Sequence, residues 1–139
     1  MKPTPFNPGT DLAPTPFDKR HCKLALRLKQ AGLTWKPHVG CFVWDRKGSI
    51  EVSSPFPEQI YFILNLGHFY RLLGSLEDVM EKLVWLPTWH QARLLAKRLE
   101  VSHSDLDRLA RRLPDMSAGE ELLELYQLLL QALADTEPE

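Results

Sequence analysis

From Ser117 to Ala134 the chain reads as one long helix, and that helix cannot lie on a surface. Ser117 followed by Glu120 is the S-x-x-E pattern in which a hydroxyl and a carboxylate satisfy the first free backbone amides. Leu122, Leu125, Leu129 and Leu133 mark one side of the helix, while Leu123, Tyr126, Leu128 and Leu130 spread round the others. A helix packed on one domain hides a stripe roughly 100° wide or a little more, so a second side also needs cover. Two solutions exist. A protein partner or a second copy of the chain packs on Leu123, Tyr126, Leu128 and Leu130, or the helix passes between a strand layer and other helices of its own chain.

The stretch Leu86 to Leu113 gives two shorter helices joined by a polar break. Thr88 after Pro87 caps the first, and Ala92, Leu95, Ala96 and Leu99 recur at helical spacing. Ser102 or Ser104 caps the second, where Leu106, Leu109, Ala110 and Leu113 continue the stripe until Pro114 stops it. With Ala96 inside the first helix, Val101 at the turn, and Leu106 and Leu109 facing inward, residues 92–111 resemble the helix-turn-helix DNA-binding units. The resemblance implies that His103, Ser104, Asp105, Asp107 and Arg108 lie in or near a recognition helix, whose first turns face base edges. Arg93, Lys97, Arg98, Arg108, Arg111 and Arg112 would supply phosphate contacts. Glu100 departs from the pattern, standing where the family has glycine. An ordinary helical hairpin with a solvated basic face explains the same residues.

The rest of the chain fits a mostly helical α+β fold, with a small antiparallel sheet or hairpin at about 41–64 packed against about five helices. Residues 1–17 carry Pro3, Pro5, Pro8, Pro14 and Pro16 and form a proline-rich arm, extended or disordered, ahead of one globular domain over 18–139. Asp18 caps a helix through Ala31 that stops at Gly32. Cys41–Trp44 and Ser49–Val52 read as a hairpin about the turn Asp45-Arg46-Lys47-Gly48. Ile60 to Leu64 is either a third strand or a helix begun after Pro57, and Ser75 caps a helix ending at Leu83 or Trp85. The pattern LALRLKQAGL followed by FVWDRKGSI is similar to small uncharacterised bacterial and phage proteins that join a first helix to a hairpin. That resemblance implies no activity.

Charge bounds function. The formal net charge is -1, so any nucleic-acid contact must rest on a local patch rather than on bulk charge. Asp18 to Lys47 is strongly basic, whereas Asp115, Glu120, Glu121, Glu124, Asp135, Glu137 and Glu139 follow one another with no Lys or Arg between them. The acidic last helix either lies over basic helices of the same fold or offers its charge to a partner.

Cys22 and Cys41 lack CxxC spacing, and the five histidines show no metal-binding pattern. The glycines stand singly, which gives no phosphate-binding loop. No catalytic, cofactor or metal residue is assigned. The leading expectation is a small non-enzymatic interaction or regulatory module in the cytoplasm, without membrane contact. A DNA-binding regulator using residues 88–113 is the alternative, and a small enzyme pairing a cysteine with a histidine is the second.

Overall fold

The computed structural model describes residues 4–135. Lys2 and Pro3 of the arm, and Glu137 and Glu139 of the acidic end, lie outside the described residues.

The fold is mostly helical α+β: α1 (Lys19–Gln30), β1 (Phe42–Trp44), β2 (Ile60–Phe62), α2 (Leu66–Leu73), α3 (Leu76–Lys82), β3 (Val84–Leu86), α4 (Trp89–Arg98), α5 (His103–Arg112) and α6 (Ala118–Asp135). A 3-10 turn over Leu113–Asp115 carries the chain from α5 into α6. The three strands form one antiparallel sheet in the order β2-β1-β3.

Side chains alternate across a strand, so each face of this sheet belongs to a different core. Trp44 stands opposite Ile60 and Val84, and Phe42 opposite Phe62 and Leu86. This face joins the larger core built with α1, α4 and α6. Val43, opposite Tyr61 and Trp85, looks the other way into a smaller core with Cys41, Ile63, Phe69, Leu73, Val79 and Leu83. The result is three layers, with the sheet between α2–α3 and the remaining helices.

The hairpin expected at 41–52 is not formed. Asp45 is fully buried, and its carboxylate accepts the amides of Ser49 at 2.9 Å and Ile50 at 2.8 Å. Amides held by a side chain cannot build a ladder, so Ser49–Val52 turns away and Ile60–Phe62 takes the place beside β1, with Gln59 accepting the Asp45 amide. Residues 60–62 are therefore strand rather than helix. The sheet also reaches beyond 64: Val84–Leu86, expected as a helix end, is β3. α3 stops at Lys82, where Leu83 takes up extended backbone and Val84 enters the ladder opposite Trp44. Lys29 Nζ donates to Glu81 O at 2.7 Å and Leu83 O at 3.0 Å, tying α1 to that end.

The helix starts follow the local chemistry. Asp18, Thr88 and Ser102 cap α1, α4 and α5 through their side chains, and Ser117 with Glu120 forms the reciprocal pair at α6. At α1 the residue completing the box is His21, which is fully buried. Its Nδ1 accepts the Asp18 amide at 3.1 Å and its Nε2–H donates to Gly119 O at 2.9 Å, pinning α1 to the start of α6. Burial acts to raise the pKa of Asp18, but hydrogen bonds from the Arg20 side chain and amide outweigh it and hold the carboxyl down to about 2.

α6 is the central helix. It packs against α1, α4 and α5, which cover much of its apolar surface within one chain. Leu122, Leu125 and Leu129 are buried, and so is Tyr126, which was read as an interface residue; its hydroxyl donates to Pro87 O. Leu123, Leu128 and Leu130 are half-buried and pack against the same core. The acidic face of α6 also finds basic neighbours at home: Glu124 pairs with Arg112 at 3.3 Å, and Glu120 and Glu124 line a groove shared with Arg20 and Lys23 of α1.

Candidate functional site

Two surfaces remain to be explained by something other than packing. The first is a cleft between one edge of α4 and the loop that follows α1. Gln91, Leu94, Leu95 and Arg98 stand at i, i+3, i+4 and i+7, so they share a face of α4. That register is set by Thr88, whose hydroxyl accepts the Gln91 amide while the Gln91 side chain accepts the Thr88 amide. Opposite lie Trp35, Lys36 and His38, in a loop anchored by buried Pro37. Trp85 of β3 also lines the cleft, whose volume is about 280 Å3.

Trp35 stacks on Trp85 with ring centroids 6.1 Å apart and planes 11° from parallel. The Trp85 Nε1–H is buried without a hydrogen-bond partner. Such an orphaned donor costs about 1 to 3 kcal/mol, which makes this ring a poor piece of ordinary core. Leu94 is 51% exposed, unusual for a leucine beside two indoles. His38 Nδ1–H donates to Val39 O at 2.8 Å, leaving Nε2 uncommitted. Lys36 and Arg98 make no ion pair among the described residues, and no carboxylate lines the cleft.

The second surface is the α4–α5 hairpin. Glu100 has φ +59°, the left-handed conformation that a helix-turn-helix gives to glycine. The tight turn is thus made by a residue with a Cβ, at a cost of about 1 kcal/mol. α5 beyond it is open to solvent: only Leu109 is buried, and His103, Ser104, Arg108 and Arg111 are exposed. Its charges are partly spoken for, since Arg108 pairs with Asp105 at 3.3 Å and Arg112 with Glu124. On α4, Lys97 is exposed and Arg93 half-buried. Arg98 is exposed and also lines the cleft.

Cysteine chemistry has no support in the geometry. Cys22 and Cys41 are both 1% exposed. Burial pushes the Cys22 thiol up to about 12, with Glu58 and Asp18 adding to the effect, and burial also raises Cys41. Thiols held in the protonated form are poor nucleophiles. Among the described residues no group of three or more His, Cys, Asp or Glu side chains could hold a metal ion, and no helix is long and apolar enough to cross a membrane.

Sequence reasoning missed the cleft because its parts are far apart in the chain. In the sequence Trp85 has Trp89 as its near aromatic neighbour, across Pro87. Instead it turns to Trp35, fifty residues earlier, while Trp89 lies beside Pro14 and Pro16 of the arm. The one local signal was Trp35-Lys36-Pro37-His38, an aromatic and a cation placed in a loop.

No family model, no curated protein and no solved structure matches the chain.

Proposed function

We propose that the protein is a small non-enzymatic interaction module of the cytoplasm that docks a macromolecular partner at the Trp35–Trp85 cleft. The observation that carries this reading is the meeting of half-exposed Leu94 with two indoles and two unpaired cations. Trp and Arg dominate the few residues that supply most of the energy in protein interfaces, and they do so around apolar anchors such as this. Leu94→Asp tests it. Leu94 is 51% exposed, so the fold should survive the change, with circular dichroism as the check. Quantitative affinity capture from native lysate should then show a macromolecule retained by the wild-type protein and reduced about tenfold by Leu94→Asp and by Trp35→Ala. Turnover or tight retention of a small metabolite in place of a macromolecule sinks the reading.

A second reading is favoured by a different observation, the left-handed Glu100 followed by a solvent-open α5. In it residues 88–113 form a DNA reader, with Arg93, Lys97, Arg98, Arg111 and Arg112 on phosphates and His103, Ser104 and Arg108 toward bases. Gel shifts should weaken steeply from about 50 to 200 mM salt and fall further when Arg108 and Arg111 become alanine. Absence of any shift at the lowest salt removes this reading and leaves the first untouched.

A further inference from the structure

Resting on the docking reading above, we infer that the cleft takes an acidic segment of a partner protein, seating one apolar or aromatic side chain against Trp35 and Leu94 with carboxylates on Lys36 and Arg98. Charge gives the first argument. Elsewhere on this chain grooves that hold cations also hold carboxylates: Arg20 and Lys23 share one with Glu120 and Glu124, and Lys19 and Lys23 share another with Glu58. At the cleft two cations have none, and none of the lining residues is acidic. The missing counter-charge is what an acidic segment brings, and it is also what would reject a basic one.

Size gives the second. Pockets that enclose small molecules measure roughly 300 to 1,000 Å3 and bury most of the ligand. This one, at about 280 Å3, lies at the small end of that range and is open to solvent, so whatever it seats keeps one side outside. A side chain projecting from a longer segment suits such a site, because flanking residues add contacts along the exposed α4 edge that a free metabolite cannot make.

The test is fluorescence anisotropy on labelled heptapeptides with Leu, Phe or Trp at the centre, flanked on both sides by Glu, by Ser or by Lys. The full chain is used, and 2-naphthoate serves as the small aromatic anion. Glu-flanked peptides are expected to bind at least about tenfold tighter than Ser-flanked ones, and Lys-flanked peptides not at all. Lys36→Glu combined with Arg98→Glu should reverse that order, and Leu94→Asp should abolish binding of every set. All three positions are surface-accessible, and unchanged circular dichroism would establish that the variants are folded.

Equal binding of the Glu and Ser sets, indifference to the charge reversal, or naphthoate binding as tightly as the peptides would each overturn the inference. So would silence of every peptide up to about 1 mM, the weak end of specific recognition. If lysate capture remains sensitive to Leu94→Asp in any of these cases, the docking reading survives while the acidic partner does not. If capture is insensitive as well, both fail.

Discussion

Leu125→Ala and Leu129→Ala are each expected to lower the unfolding free energy by about 3 to 5 kcal/mol, the upper part of the range for leucine truncation. Both leucines are 0% exposed on the helix that α1, α4 and α5 surround. Three packed neighbours leave little room for collapse into the space vacated, so the cavity penalty adds nearly in full to the lost transfer energy. Leu123→Ala and Leu128→Ala, on half-buried positions of the same helix, should cost less than about half as much. Urea denaturation resolves the difference as a shift in midpoint at constant slope. Similar costs at all four positions would mean that α6 is not central but equally packed on two partial faces.

Asp45→Ala should be nearly as damaging, by about 2 to 4 kcal/mol, although it deletes a charged residue from a turn. The carboxylate is the acceptor for two amides, Ser49 on Oδ1 and Ile50 on Oδ2. Each amide left buried without a partner costs about 1 to 3 kcal/mol. Asp45→Asn retains one oxygen, so it should restore roughly half of the loss and protect one of the two amides from hydrogen exchange while freeing the other. Equal exchange at Ser49 and Ile50 in Asn and Ala variants would show that another group holds the loop.

Asp45 also explains where the sequence was readable and where it was not. A turn at Asp45–Gly48 was legible because Asp at its start and Gly at its end are local chemistry, and Gly48 does sit at φ +68°. Which strand returns beside β1 was not, since that depends on a side chain capturing amides four and five residues on. The same division runs through the molecule. The caps at Asp18, Thr88, Ser102 and Ser117 act within three residues and could be read directly. β3 could not, because Val84-Trp85-Leu86 is only three residues long and becomes a strand through its pairing with Val43 and its neighbours, some forty residues earlier.

The over-apolar composition of the last helix correctly demanded cover on several sides. Composition alone left open whether that cover came from another molecule or from the same chain; burial of Tyr126 and its bond to Pro87 answer for that residue. The candidate cleft was legible only as fragments. Arg98 stands out in the sequence by its charge, but Trp35, Trp85 and Leu94 acquire meaning only from being brought beside it.

The division of the sheet between two cores has a temporal consequence. Among the described residues, seventeen buried ones cluster on the α1–α4–α6 side and eight on the α2–α3 side. Structure is lost first where fewest contacts hold it, and opening of one part need not wait for the whole. The α2–α3 layer is thus the part that breathes, peeling from the sheet and closing again many times for each complete unfolding. Its amides should exchange early and those of α6 late, with β1, paired on both edges and packed on both faces, keeping time with the slower side.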